Sequence, residues 1–160
     1  MSHNEELEIV RRILKAGRTA IVTTRAKSGA LHSRPLALLD DDFEGTLWFF
    51  TEDPSEKTDE IRRHSEVNVS VSDDKGYLSL SGAASIDRTQ ARIDMYWNAF
   101  AEGYFHGGPE DPKVALLRID IESVEYWDTD QPLVKRAFEV AKTLITKKEP
   151  DLGDSGTVKL

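Results

Sequence analysis

Short apolar segments separated by tight turns are the feature of this 160-residue chain that most limits its fold. In the segment 66–73, EVNVSVSD, three valines alternate with polar residues. This period of two is typical of a strand with one buried face. Because such segments recur along the chain with turns of a few residues between them, the sequence predicts a mainly antiparallel β fold.

Six segments have strand character, and their turns predict how they pair. The KSGA turn between the first two segments predicts a hairpin. Pro35 in the second segment predicts an edge strand, because proline donates no hydrogen bond to a ladder. Gly82 interrupts the fifth segment. The sixth segment is either one long strand or two strands with a bend. The predicted strands are 19–26, 31–39, 46–51, 66–73, 77–86 and 114–128.

Helical spacing of apolar residues predicts four helices, at about 5–16, 56–64, 88–101 and 133–147. With the six strands, this order predicts a small antiparallel barrel carrying helices, with an open α+β sheet as the alternative. We expect residues 1–148 to form a single domain, closed by the last helix. The polar residues 149–160 are expected to be a flexible tail.

Charge and composition exclude several classes of function. A net charge of −8 makes the chain a poor generic nucleic-acid binder. The absence of cysteine excludes disulfides and thiolate–metal sites. No apolar run approaches the roughly 20 residues of a membrane-spanning helix, and the N-terminus lacks a signal-peptide core, so we expect a cytoplasmic protein. His3, His32, His64 and His106 lack metal-ligand spacing, and no metal is predicted.

The segment 49–61, FFTEDPSEKTDEI, leads from a predicted strand into a predicted helix. Ser55 is a natural cap for that helix, and Thr51 and Lys57 flank it. A helix N-terminus favours negative charge, because its backbone N–H groups are unpaired and its dipole is positive there. Two interpretations stay open at this stage: an anion site, or a capped helix with a surface lysine.

Several motifs in order give the chain a family resemblance. SRPLALL, LWFFTEDPSEK, VNVSVSD and YLSLSGAA are followed by FHGGPEDP and EYWD. Over about residues 5–130 the chain resembles the pyridoxamine 5′-phosphate oxidase-like FMN-binding split barrels, and among them the bacterial general stress protein 26 group. The resemblance implies a six-stranded antiparallel split β-barrel, mainly β with helices, that forms a homodimer with FMN at the subunit interface.

The resemblance also implies site residues. Arg34 would reach the FMN phosphate or ribityl chain, and the backbone of Pro35, Leu36 and Ala37 would lie at the isoalloxazine edge. One arginine, one lysine and two hydroxyls would supply the donors for a phosphate dianion. The implied residues of the next strand and of the phosphate turn are Phe50, Thr51, Ser55 and Lys57. Those implied for the second subunit are Ser79, Gly82 and Trp127.

Three departures from the oxidase pattern argue against vitamin B6 as the substrate. Glu56 stands where many of these oxidases carry an arginine of the phosphate turn, and Leu39 stands where they carry a lysine. The C-terminal Arg-x-His segment that holds pyridoxal is absent. The chain is therefore not expected to be a true pyridoxamine 5′-phosphate oxidase.

Trp97, Phe105 and His106 are candidates for a substrate pocket over the flavin, although core packing and an exposed loop histidine are the simpler interpretations. No catalytic residue is visible, which fits chemistry supplied by a cofactor. The first hypothesis is an FMN-dependent oxidoreductase that uses NAD(P)H or another small molecule. The alternatives are a non-catalytic flavin-binding or redox-sensing stress protein, or a dimer with deazaflavin, haem or no cofactor.

Overall fold

The computed structural model describes residues 2–39, 42–129 and 154–160. Within these ranges the chain forms seven strands and four helices, and every predicted strand is present. The elements are α1 His3–Ala16, β1 Thr19–Arg25, β2 Leu31–Ala37, β3 Thr46–Glu52, α2 Glu56–Arg63, β4 Glu66–Asp73, β5 Gly76–Asp87, α3 Gln90–Tyr96, α4 Ala99–Tyr104, β6 Val114–Asp128 and β7 Ser155–Lys159.

One antiparallel sheet organises the molecule, in the order β2-β1-β4-β5-β6-β3, with β7 also paired to β6. The predicted antiparallel β architecture is confirmed, but the sheet has seven strands rather than six. It is also not closed, because β2 and β3 do not pair as strands and approach each other at a backbone hydrogen bond from Leu39 to Trp48. Pro35 lies on the edge strand β2, as predicted.

The main core lies between the inward face of the sheet and α1. Alternate residues of the strands supply it, and Val10 and Ile13 of α1 are fully buried against them. The α1 helix begins with a capping box, in which the Ser2 hydroxyl accepts from Glu5 N and the Glu5 carboxylate accepts from Ser2 N. Such a cap contributes about 1 kcal/mol to helix stability.

A second, aromatic cluster packs on the other side of β3, around Trp48 and Phe50. The single helix predicted at 88–101 is wrong, because two short helices, α3 and α4, occupy this region and α4 extends three residues beyond the predicted end. Trp97 leaves the helical conformation, with φ −56° and ψ 127°, and the Asn98 side chain then caps α4 by accepting from Ala101 N. The sequence did not reveal this break, because an i, i+3, i+4, i+7 spacing fits one continuous helix through Ile93, Tyr96, Trp97 and Phe100.

The C-terminal prediction also needs correction. Residues 149–160 were expected to form a flexible tail, yet Ser155–Lys159 is strand β7, paired antiparallel with β6. Val158 is buried in the main core, which explains why this polar segment is ordered. The predicted helix 133–147 and residues 149–153 of the tail lie outside the described residues.

The long β5–β6 pair spans the centre of the sheet. The segment 114–128 is one continuous strand, and the pairing of β5 with β6 shifts register between Ser81 and Gly82. A Cβ built on Gly82 would lie 2.1 Å from the Asp120 carbonyl oxygen, so the backbones approach too closely for any side chain. In the described part of the chain, no helix is long and apolar enough to cross a membrane.

Candidate functional site

Two cations meet where β2, β3 and the start of α2 come together. Lys57 on α2 donates from Nζ to the Thr51 hydroxyl at the end of β3, at 2.7 Å. Burial lowers the pKa of Lys57, and the positive charge of Arg34 on β2 lowers it further, while Glu52 acts in the opposite direction. Arg34 and Lys57 are therefore close enough to repel each other, and an anion between them would relieve this repulsion.

The first turn of α2 is held by the cap that the simpler interpretation predicts. The Ser55 hydroxyl accepts from Thr58 N at 3.2 Å, and the Thr58 hydroxyl accepts from Ser55 N at 2.9 Å. Ser55 is thus a confirmed N-cap. The same cap places the positive end of the helix dipole beside Lys57, so the two interpretations of this turn are compatible.

Arg34 is held by groups that the sequence analysis missed. Its Nη1 donates to the Thr24 hydroxyl and to the His32 carbonyl oxygen, and its Nη2 lies 3.4 Å from a carboxylate oxygen of Glu60. Glu60 is only 3% exposed, and it also accepts from Thr24 and His32. Burial alone would raise the pKa of Glu60, but these hydrogen bonds outweigh it and lower the pKa. The one sign of this network in the sequence is a polar residue, Thr24, at an inward position of β1 that would otherwise carry an apolar side chain.

A second buried carboxylate fixes the turn between β3 and α2. Asp53, 2% exposed, accepts from both terminal nitrogens of Arg62, at 2.7 and 2.6 Å. Arg88 donates to the same carboxylate at 2.6 Å and to the Pro112 carbonyl oxygen at 2.6 Å. Hydrogen bonds from Arg62, and then from Arg88, hold the pKa of Asp53 well below its usual range against the effect of burial. These hydrogen bonds connect the turn to Arg88, which directly follows β5.

His32 also lies close to two carboxylates of α2. Its Nδ1 is 2.7 Å from Glu60 and 3.3 Å from Glu56, and the three side chains offer ligand atoms within 4.8 Å of one another. The spacing of histidines along the chain does not reveal this grouping, because His32 comes from β2 and both carboxylates come from α2. Arg34 already shares the Glu60 carboxylate, and the expectation that no metal binds stays a prediction.

The aromatic cluster brings together three predicted site residues. Phe50 contacts Trp97 and Phe105, with ring centroids 5.5 and 6.1 Å apart. Trp97 donates from Nε1 to the Glu102 carboxylate at 2.6 Å. Phe105 is buried, whereas His106 is exposed and outside the cluster. Phe50 and Phe105 therefore pack in the aromatic cluster, and for Phe105 core packing is the simpler of the two interpretations.

Comparison with known proteins places this chain in a family. The family described as pyridoxamine 5′-phosphate oxidase like matches residues 5–151. The chain belongs to this family. Protein bli-3 of Neurospora crassa, a relative, is 31% identical over 147 residues, which is 84% of this chain and 70% of that protein.

Two solved structures with the same fold carry stress-protein names. The general stress protein 26 of Bacillus anthracis is 25% identical, with a TM-score of 0.69 over 76% of this chain and 93% of that one. The general stress FMN/FAD binding protein of Xanthomonas citri is 28% identical, with a TM-score of 0.70 over 81% of this chain and 93% of that one. The predicted family and its split-barrel type of fold are thus confirmed.

In this pyridoxamine 5′-phosphate oxidase-like chain, three of the remaining predicted residues lie next to Arg34 on β2, and three lie on other strands of the sheet. Pro35, Leu36 and Ala37 follow Arg34 along β2. Ser79 and Gly82 lie on β5, and two strands, β1 and β4, separate β5 from β2 in the sheet order. Trp127 lies on β6 and is 44% exposed.

Two surface cavities of this family member lie elsewhere. One of about 300 Å³ is lined in part by Ile61, Arg62 and Arg88, and one of about 460 Å³ by residues that include Asp42 and Trp48. Neither is lined by Arg34 or Lys57.

Proposed function

We propose that the chain binds FMN and that Arg34, Lys57 and Thr51 hold its phosphate. The observation that carries this proposal is the close approach of two cations beside a hydroxyl and a capped helix start. Charge-assisted hydrogen bonds from such groups are the usual means of binding a phosphate. The relative from Xanthomonas citri, described as FMN/FAD binding, supports a flavin rather than another phosphate ester.

The rest of the flavin would lie along β2 and against a second copy of the chain. Leu36 and Ala37 would offer backbone to the ring, and Ser79, Gly82 and Trp127 would come from the partner subunit. In one protomer two strands, β1 and β4, lie between β2 and the strand β5 that carries Ser79 and Gly82, which supports a site that only a homodimer completes. Ser55 would add its hydroxyl only by sharing it with the helix cap.

We further propose that the protein is a flavin-dependent oxidoreductase and that vitamin B6 is not its substrate. Bound FMN would supply the redox chemistry, with NAD(P)H or another small molecule as the reductant. The protein's own contribution is to bind and orient the cofactor. Trp97, which packs against the aromatic cluster, and the exposed His106, which follows the buried Phe105, are candidates for contact with a small substrate.

The first experiment is an absorbance spectrum of the purified protein, with the released ligand identified by mass. We expect two flavin bands and the mass of FMN. A colourless protein that also fails to bind added FMN would refute the proposal. The spectrum of a deazaflavin or a haem would show that the protein binds that cofactor instead of FMN.

A second experiment tests turnover. NAD(P)H is mixed with the FMN-loaded protein and, as a control, with free FMN at the same concentration. Reduction of bound FMN faster than free FMN supports an oxidoreductase. Equal or slower rates with each reductant would instead support a flavin-binding stress protein without turnover.

A further inference from the structure

Glu60 is a charged side chain buried at the base of the proposed phosphate site. It is 3% exposed, and its carboxylate is shared among Thr24, His32 and Arg34. An ionised carboxylate is costly to bury unless its oxygens are paired. Both oxygens are paired here, one with His32 and the other with Thr24 and Arg34.

These contacts immobilise the Arg34 guanidinium. Nη2 lies against Glu60, and Nη1 donates both to the Thr24 hydroxyl and to the His32 carbonyl oxygen. The Thr24 hydroxyl in turn donates to Glu60, so the carboxylate and the hydroxyl form one anchor. A guanidinium that is already ordered loses less entropy when it binds a ligand.

Glu60 pairs with this guanidinium, and Lys57 on the same helix is near enough for the charge of Arg34 to lower its pKa. They are three residues apart on α2, yet Lys57 donates to Thr51 while Glu60 pairs with Arg34. Without the carboxylate, the repulsion between Arg34 and Lys57 would favour conformations in which the Arg34 guanidinium lies farther from Lys57. The carboxylate therefore keeps two like charges close together.

We propose that Glu60 is a positioning residue, which anchors Arg34 beside Lys57 so that both cations reach the same phosphate. This inference rests on the proposed FMN site and names a residue outside the family motif that suggested it. Glu60 does not touch the ligand, and it acts through Arg34.

The sign of the effect separates positioning from simple electrostatics. The negative charge of Glu60 by itself opposes anion binding, so removing it should tighten binding if charge were its only role. Glu60→Gln removes the charge but keeps an oxygen that can accept from Arg34 and Thr24. Glu60→Ala removes both. Positioning predicts weaker phosphate binding in Glu60→Ala alone, whereas charge alone predicts tighter binding in both variants.

The experiment titrates apoprotein with FMN and with riboflavin, following flavin fluorescence. The ratio of the riboflavin to the FMN dissociation constant isolates the phosphate contribution and is insensitive to partial unfolding. We expect Glu60→Ala to lower this ratio about tenfold, the size of one lost charge-assisted contact, and Glu60→Gln to keep it within about twofold or raise it. An unchanged or raised ratio in Glu60→Ala would overturn the inference.

The matched control is Asp59→Ala, which removes an exposed carboxylate from the same helix, next to Glu60 in the chain and paired with Arg62 rather than with Arg34. Its ratio should stay at the wild-type value. If Glu60→Ala does not fold by circular dichroism, Thr24→Val takes its place, because it removes the bridging hydroxyl at similar volume. We expect that variant to lower the ratio about threefold, and an unchanged ratio would count against the anchor.

A ligand-free measurement distinguishes failure of this inference from failure of the proposed function. Nuclear magnetic resonance of the arginine guanidinium groups reports how fast each one rotates. The Arg34 group should rotate slowly in the wild type and faster in Glu60→Ala or Thr24→Val. If the wild type binds neither FMN nor riboflavin, the proposed function falls, and equal Arg34 rotation in wild type and variants would separately refute the anchor.

Discussion

At the scale of single residues, the proposed site depends on the positive charges of Arg34 and Lys57. Arg34→Ala and Lys57→Ala should each weaken FMN binding by about 1.5–3 kcal/mol, the contribution of a hydrogen bond to a charged group. Fluorescence titration of the apoprotein measures this. Arg25→Ala and Lys27→Ala are matched controls, since both side chains are exposed on the neighbouring strand and turn, and Asp42→Ala should also leave affinity unchanged. Wild-type affinity in both site variants would mean that the phosphate binds elsewhere.

Asp53 should stabilise the fold in a pH-dependent manner. Asp53→Asn should cost about 2–4 kcal/mol of unfolding free energy near neutral pH, because two arginines lose their shared partner, although both are half-exposed. The pKa of Asp53 is lowered in the folded state, so its contribution is present above the unfolded pKa of about 3.9 and is lost as pH falls below it.

Urea unfolding at several pH values checks this. The difference between wild type and Asp53→Asn should stay constant from about pH 7 to about pH 5 and shrink below about pH 4. Asp59→Asn is the control, since this exposed carboxylate is 3.9 Å from the same Arg62 and should contribute less than about 0.5 kcal/mol. A difference that grew on acidification would contradict the assignment.

At the scale of elements, Gly82 is explained by the packing of β5 on β6. Gly82→Ala should cost about 1–3 kcal/mol, because a Cβ has no room beside the Asp120 carbonyl oxygen. Thermal or urea unfolding measures the loss. Gly103→Ala is the matched control, because that glycine lies in α4 with open space around it, and alanine there should be neutral or stabilising. Equal stability of both variants would contradict the close approach.

The elements also show what the sequence could and could not predict. The strands were predictable because alternation and turn residues are local signals, as in the valines of β4. Strand β7 was not, because SGTVK has one buried residue, Val158, and depends on its pairing with β6. The break between α3 and α4 comes from the Asn98 cap, which competed with an aromatic spacing that fits a continuous helix.

The same distinction applies to the site. Arg34, Thr51 and Lys57 could be proposed together because family motifs carry them. Glu60 could not, since it joins Thr24 and His32 across 36 and 28 residues of chain, and no local pattern encodes such contacts.

At the scale of the whole molecule, the proposed flavin site requires a second copy of the chain. The outer face of the sheet exposes Tyr77 and Trp127, which lie directly opposite each other on β5 and β6. Light scattering should give twice the 18.0 kDa mass of one chain. Tyr77→Glu should shift the protein toward monomer and lower FMN affinity at the same time, because desolvating an unpaired charge at an interface is costly.

Met95→Glu is the control for that experiment. Met95 is 66% exposed on α3, so it tests whether any added surface charge has the same effect. The control should keep the wild-type mass and affinity. A Tyr77→Glu protein that stays dimeric with full FMN affinity would place the interface on another face.

The meeting of β6 and β7 has a consequence for how this chain can vary. Asp128 N donates to the Asp154 carbonyl oxygen at 2.6 Å, so the residues on either side of 130–153 are adjacent. This junction is therefore a suitable place for an insertion, because the pairing of β6 with β7 holds the chain on both sides. A change of length during evolution, or a grafted reporter domain, would leave the register of the seven strands unchanged.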